Sequence, residues 1–157
     1  MTVMAETTVT RPAPDTLDMR RHYAAPVALM WRLWTDPDHF ARWWGPKGMR
    51  CTRCEIDLRP GGAWLTKMTS LEGTDHTVSG VYREIVEPER LVYTWGWENE
   101  GGRGHESTVT VTFHAAGEGC EVRVLHENLG PDQPDRHQQG WTGALDCLAD
   151  HIAGNPT

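Results

Sequence analysis

The chain has 157 residues, a net charge of −7 and no extended basic cluster, and these totals exclude several classes of protein. This length predicts one domain with a real hydrophobic core. Asp and Glu outnumber Lys and Arg by 22 to 15, so we expect no nucleic acid as a partner. No apolar run approaches the roughly 20 residues of a bilayer span. Residues 1–18 hold no apolar stretch typical of a secretory signal, so we expect a cytoplasmic protein that does not associate with a membrane.

The N-terminal segment, residues 1–17, is rich in Thr, Pro and Ala and has no hydrophobic periodicity. This composition predicts a flexible tail in front of a domain at residues 18–154. A first strand is predicted over residues 17–23.

Two short helices are predicted next. Apolar side chains recur at the spacing of one helix face at Val27, Met30, Trp31 and Trp34. This spacing predicts a helix over residues 26–35. Asp36 is a suitable N-cap and Pro37 a suitable first residue for a second helix, which Gly45-Pro46 ends.

From residue 49 onward the pattern changes to strands joined by tight turns. Strands are predicted over residues 49–58, 63–69, 77–86, 91–97, 106–114 and 120–127. Their short links favour antiparallel neighbours. In the first link, Pro60 followed by Gly61 and Gly62 is typical of a type II turn, so one of the two glycines needs a positive φ.

The last segment predicts a long amphipathic helix that ends at Gly154. Its stripe consists of His137, Trp141, Ala144, Leu145, Leu148 and Ile152. One long helix must bury such a stripe, and a strongly twisted sheet that wraps it is an economical solution. The sequence therefore predicts an α+β protein in which a curved antiparallel sheet wraps a long C-terminal helix, with two short helices after the first strand.

Several short motifs, in the right order, resemble one family. They are Tyr23-Ala24-Ala25-Pro26-Val27, Trp34-Thr35-Asp36-Pro37, Trp43-Trp44-Gly45-Pro46, Asp57-Leu58-Arg59-Pro60-Gly61-Gly62, Gly80-Val81-Tyr82-Arg83-Glu84-Ile85, Pro88-Glu89-Arg90-Leu91 and His137-Gln138-Gln139-Gly140-Trp141. Over about residues 18–153 the chain resembles the SRPBCC superfamily, which includes START lipid-transfer domains and polyketide cyclases. Within it, the chain resembles the family named after the activator of the Hsp90 ATPase. The resemblance implies the helix-grip fold and no universal catalytic set, since a fold alone does not define a function.

Cys51 and Cys54 have the spacing of a redox or zinc pair. Residues three apart on a strand point to opposite faces, however, and Cys120 and Cys147 are isolated in the sequence. We therefore expect ordinary free thiols, no metal site and no cofactor. The eight histidines show no common ligand spacing.

Aromatic residues of the predicted strands and last helix form the candidate ligand site. With a period of two, Tyr93, Trp95 and Trp97 share one face, and this face either lines a cavity or exposes aromatic rings to solvent. We expect an apolar pocket of roughly 300–1,000 Å³ under the last helix. The expected ligand-binding residues are Trp44, Trp64, Tyr82, Tyr93, Trp95, His137, Trp141 and Leu145. For His137 the alternative is a helix-end histidine that lies partly in solvent.

Three functions remain open at this point. The first is binding or sequestering of a small hydrophobic molecule without turnover, because an aromatic wall has no recognisable catalytic set beside it. The second is a cyclase- or hydrolase-type enzyme, for which His126, Glu106 and His137 are the only suppliers of an acid–base pair. The third, implied by the resemblance, is a chaperone-associated regulator; it ranks lowest, because such activators carry a further domain. A homodimer is a further open alternative.

Overall fold

The computed structural model describes residues 7–45, 48–99, 102–103, 105–130 and 134–153. Within these ranges the chain forms nine strands and three helices. The strands are Thr8–Ala13 (β1), Thr16–Tyr23 (β2), Met49–Ile56 (β3), Ala63–Ser70 (β4), Asp75–Val86 (β5), Arg90–Asn99 (β6), Gly102–Arg103 (β7), Ser107–Ala116 (β8) and Gly119–Glu127 (β9). The helices are Val27–Thr35 (α1), Pro37–Trp43 (α2) and Pro134–Ile152 (α3).

The strands form one antiparallel sheet in the order β1-β2-β9-β8-β6-β5-β4-β3, with β7 paired to β6 beside this path. The α3 stripe is buried against the other elements: Trp141, Ala144, Leu145 and Leu148 are each at most 2% exposed. These observations confirm the α+β class and the helix-grip arrangement. The structure also confirms the second short helix, because Asp36 Oδ1 accepts a hydrogen bond from the Asp38 amide at 2.9 Å.

The N-terminal segment requires a correction. We predicted a tail over residues 1–17, but Thr8–Ala13 forms β1 and pairs with β2. This strand is mostly exposed and has no apolar alternation, so its sequence carries a weak strand signal, the β-branched run Thr8-Val9-Thr10. Backbone pairing with β2 stabilises it instead, and the Arg11 guanidinium contacts Gln138 Oε1 of α3 at 2.8 Å. The predicted helix end at Gly154 lies outside the described residues.

The described helices do not include one long and apolar enough to cross a bilayer.

A second correction concerns β3, where the register with β4 shifts between Cys51 and Arg53. The shift places Cys51 and Cys54 on one face of the sheet, so the prediction of opposite faces is wrong.

The turn after β3 confirms the turn prediction, since Gly61 has a φ of +83°. Its amide donates to the Tyr82 carbonyl oxygen at 2.8 Å, and the Tyr82 amide donates to the Gly62 carbonyl oxygen at 2.9 Å. A Cβ at Gly62 would lie 2.0 Å from the Asp57 carbonyl oxygen. The turn is therefore held against β5 by backbone hydrogen bonds that need glycine.

Replacing Gly61 by valine is expected to lower the free energy of unfolding by about 1–2 kcal/mol, the cost of a left-handed conformation for a residue with a Cβ. The measurement is urea unfolding followed by circular dichroism. Gly140→Ala is the matched control, because Gly140 lies in α3 with no neighbour near its added Cβ. Alanine should leave stability unchanged or raise it by up to about 1 kcal/mol. A neutral Gly61→Val would contradict the assigned turn.

Candidate ligand-binding site

The inner face of the sheet carries a cluster of aromatic side chains that touch one another. Trp64 of β4 lies 5.3 Å from Tyr93 and 5.7 Å from Trp95 of β6, measured between ring centroids. Tyr82 of β5 lies 5.9 Å from Tyr93. All four rings are buried. The strand period of two places Tyr93 and Trp95 on one face, and the burial of all four rings shows that they lie on the inner face of the sheet.

The helices close this cluster from above. Trp44, which follows α2, stacks on Phe40 at 4.9 Å and packs edge-on against Trp95 at 5.8 Å. Trp141 of α3 lies 5.2 Å from Trp44 and 5.4 Å from Trp95. The rings of two helical regions thus meet those of the sheet directly.

A small gap remains inside this cluster, with a volume of about 20 Å³. The residues that line it are Trp34, Phe40, Trp44, Ile56, Trp64, Thr66, Tyr82, Leu91, Tyr93 and Trp95. The prediction of a pocket of roughly 300 Å³ or more is wrong for this gap. Among the described residues, aromatic rings occupy most of the space around this gap. The gap also lies beneath α1 and α2, because its helical lining comes from Trp34, Phe40 and Trp44 rather than from α3.

Two hydrogen-bond donors at the gap lack an acceptor. Within the described part of the chain, the indole N–H groups of Trp34 and Trp95 are buried and have no hydrogen-bond partner. Their neighbours differ: Trp44 Nε1 donates to Thr66 Oγ1 at 3.0 Å, and Trp64 Nε1 donates to the Thr94 carbonyl oxygen at 3.0 Å. A buried donor without an acceptor costs about 1–3 kcal/mol. The gap is therefore apolar over most of its wall, and two of the residues that line it carry an unsatisfied donor.

A polar network lies next to the cluster and centres on His126, which is fully buried. Trp141 Nε1 donates to His126 Nδ1 at 3.0 Å. Indole nitrogen only donates, so Nδ1 carries no proton and the neutral ring has its proton on Nε2. Nε2 lies 2.6 Å from Ser107 Oγ and donates to it, while Ser107 Oγ donates to the Trp95 carbonyl oxygen at 3.3 Å. Burial lowers the pKa of His126 well below its usual value, and the nearby His137 lowers it further.

His137 lies at the start of α3 beside this network. It is 8% exposed, so the alternative of a histidine partly in solvent is wrong. Its Nε2 accepts a hydrogen bond from Trp97 Nε1 at 3.2 Å, and its ring centroid lies 5.0 Å from that of His126. Glu106, the third predicted acid–base residue, is exposed at the end of the sheet. The structure thus brings two of the three residues together.

A comparison with known protein families identifies the family of this chain. The family model described as "Activator of Hsp90 ATPase homolog 1-like protein" (AHSA1) matches residues 24–153. The chain belongs to this family. The resemblance seen in the sequence motifs is therefore confirmed, and the family is part of the SRPBCC superfamily.

Solved structures agree with this assignment. The AHSA1 protein from Silicibacter pomeroyi is 30% identical, with a TM-score of 0.81 over 88% of this chain and 97% of that chain. A protein from Chromobacterium violaceum is 29% identical, with a TM-score of 0.81 over 89% of this chain and 98% of that chain. A protein from Nitrosomonas europaea is 26% identical, with a TM-score of 0.78 over 92% and 97% of the two chains. No curated protein matches the chain.

In this AHSA1-like protein, the predicted site residues divide into two groups. Five of them line the gap: Trp44, Trp64, Tyr82, Tyr93 and Trp95. The other three belong to α3 and do not line the gap: His137, Trp141 and Leu145. The Leu145 carbonyl oxygen accepts a hydrogen bond from the Tyr23 hydroxyl at 2.9 Å, so this residue is part of the packing between α3 and β2. Ligand contact at all eight stays a prediction.

Sequence reasoning missed part of the wall. Trp34 and Phe40 line the gap from α1 and α2, and Ile56 and Leu91 line it from the sheet. Trp34 belongs to the predicted apolar face of α1, a signal equally typical of an ordinary core position.

Among the described residues, no group of three or more His, Cys, Asp or Glu is arranged to hold a metal ion.

Proposed function

We propose that this AHSA1-like protein binds a small, mostly apolar molecule that carries a hydrogen-bond acceptor, by opening the gap beneath α1 and α2. The observation that carries the proposal is the pair of buried indole N–H groups of Trp34 and Trp95, which lack acceptors among the described residues at an otherwise apolar gap. A core that serves only stability gains nothing from two such donors, since phenylalanine would fill similar space without the desolvation cost. As part of this proposal, the protein is located in the cytoplasm.

The wall defines the chemistry of the ligand. Aromatic faces from the sheet and helices favour a flat, apolar body, and each Å² of apolar surface removed from water contributes about 25 cal/mol before ordering costs. A carbonyl or ether oxygen on that body would accept from either indole, and each such bond contributes about 0.5–1.5 kcal/mol. Because the gap holds about 20 Å³, binding requires Trp44 and Phe40 to move away from Trp95.

The enzyme alternative has less support. His126 Nδ1 accepts from Trp141 and its Nε2 donates to Ser107, so in this arrangement His126 cannot remove the Ser107 proton. His137 Nε2 accepts from Trp97 in the same way. In each histidine, the unprotonated ring nitrogen that could act as a base therefore accepts a hydrogen bond from an indole N–H group. The chaperone alternative is supported by the family name only, and a fold shared with other proteins does not define a partner.

Two probes of matched shape test the proposal: 2-acetylnaphthalene, which carries an acceptor, and 2-isopropenylnaphthalene, which replaces the oxygen by a methylene group. By ligand-observed NMR titration we expect saturable binding of both and about five- to tenfold tighter binding of the ketone, the value of one hydrogen bond. The double replacement of Trp34 and Trp95 by phenylalanine should remove this preference and retain binding of the hydrocarbon.

Trp43→Phe is the control, because Trp43 donates to the Leu33 carbonyl oxygen at 2.8 Å and does not line the gap. It should keep the preference for the ketone. The absence of saturable binding of both probes to the wild-type protein would contradict the proposal and leave a solid core. Equal affinity for the two probes would contradict the role of the indole donors.

A further inference from the structure

The pair Cys51 and Cys54 lies on a β-bulge of β3. Cys51 pairs with Met68, Arg53 with Lys67 and Cys54 with Thr66. Three steps along β3 therefore correspond to two steps along β4, and Thr52 is the extra residue. A bulge of this kind reverses the alternation of side chains along a strand. Both cysteines consequently lie opposite inward-facing residues, Met68 and Thr66, which are buried.

This register brings the two thiols within reach of each other. Their partners are two residues apart on β4, a distance of about 6.8 Å along a strand. Disulfides join Cα atoms about 4.4–6.8 Å apart, so the pair lies at the upper end of that range. The Cys51 thiol donates to the Arg53 carbonyl oxygen at 3.3 Å, and the two thiols lie close enough for each to shift the pKa of the other. β3 is the last strand of the sheet order, where the backbone adjusts more easily than in a central strand.

The two thiols are chemically different. The neighbouring Cys54 thiol lowers the pKa of Cys51, whereas the neighbouring Cys51, with burial and the charges of Asp38 and Glu55, raises the pKa of Cys54. Both side chains are half-buried and so accessible to a small reagent. Cys120, in contrast, is fully buried, and burial raises its pKa to about 11. The thiolate is the nucleophile, so Cys51 is the more reactive of these cysteines.

We propose that Cys51 and Cys54 form a reversible dithiol–disulfide site that a hydroperoxide oxidises. The Cys51 thiolate attacks one oxygen of hydrogen peroxide, the O–O bond breaks, and the departing hydroxide takes a proton to become water; Cys51 becomes a sulfenic acid. Cys54 sulfur then attacks the Cys51 sulfur, the S–O bond breaks, and the hydroxide leaves with the Cys54 proton as a second water. Two thiols lose two electrons and the peroxide gains them. This site does not depend on ligand binding at the gap.

The sequence makes the product easy to identify. Trypsin cleaves after Arg53, so Cys51 and Cys54 fall in separate peptides, residues 51–53 and 54–67. After treatment of the native protein with hydrogen peroxide, these peptides should appear covalently linked in a non-reducing digest analysed by mass spectrometry. The number of free thiols should fall from four to two and return to four with dithiothreitol.

Variants assign the roles of the two residues. Cys54→Ser should accumulate sulfenic acid at position 51, trapped by dimedone, with no linked peptide. Cys51→Ser should react with peroxide at least about tenfold more slowly, because burial and the charges of Asp38 and Glu55 still raise the pKa of Cys54. Cys120→Ser and Cys147→Ser are the controls and should leave the link unchanged.

The proposal is overturned by any of three results: four free thiols after peroxide, loss spread evenly over the four cysteines, or sulfinic acid at Cys51 without linked peptides. The wild-type peptide map decides this even if a variant fails to fold.

Discussion

Replacing Trp141 by alanine is expected to lower the free energy of unfolding by about 3–5 kcal/mol, the usual cost of removing a large buried aromatic side chain. Trp141 is 2% exposed and packs against Trp34, Trp44 and Trp95 at centroid distances of 6.2, 5.2 and 5.4 Å. The substitution leaves a cavity between α3 and the sheet. It also removes the N–H that His126 Nδ1 accepts.

Trp141→Phe helps to separate these two contributions, because it keeps most of the ring packing and removes the donor. We expect a loss of about 1–3 kcal/mol from the unsatisfied His126 nitrogen and the smaller ring. Urea unfolding monitored by far-ultraviolet circular dichroism measures both variants. Trp97 is half-buried, so Trp97→Ala serves as the comparison. It should lower the free energy of unfolding by less than Trp141→Ala does. A loss below about 1 kcal/mol for Trp141→Ala would contradict the packing of α3 on the sheet.

Acidification from about pH 6.5 to 4.5 is expected to lower the free energy of unfolding by up to about 2.7 kcal/mol through His126 alone, at about 1.36 kcal/mol per pH unit. The pKa of His126 is lowered well below 6.5 in the folded protein. The unfolded chain therefore binds a proton in this range that the folded protein does not. The stabilisation that the neutral His126 contributes is fully present above the pKa of this histidine in the unfolded chain. It is lost as the pH falls towards the lower pKa of His126 in the folded protein.

His126→Gln should flatten this pH dependence, because glutamine can accept from Trp141 and donate to Ser107 without titrating. Urea unfolding at a series of pH values measures the slope. His151→Gln is the control: burial lowers the pKa of His151 too, but this side chain is only half-buried and should account for a smaller part. Asp18, whose pKa Arg123 holds below 3.8, contributes below this window. An unchanged slope in His126→Gln would contradict the assignment.

Most of the elements could be predicted from local pattern. The face of α1, the cap at Asp36 and the stripe of α3 depend on spacing and on single residues, and the structure places all three as expected. That Tyr93 and Trp95 share one face also follows from the strand period, and their burial shows that this face is the inner one. The β1 strand could not be predicted, because an exposed edge strand is stabilised by backbone pairing that leaves no apolar pattern.

The sequence by itself determined the fold class, the family and which aromatic side chains of a strand share a face, because periodicity and short motifs are local properties. Only the tertiary structure decided that these rings nearly fill the space between sheet and helices, since the volume of a gap depends on how Trp44, Phe40 and Trp95 meet across three elements. It also decided the protonated nitrogen of His126, which follows from the position of Trp141. The shared face of Cys51 and Cys54 has the same origin, because one extra residue in β3 acquires meaning only against its partner strand β4.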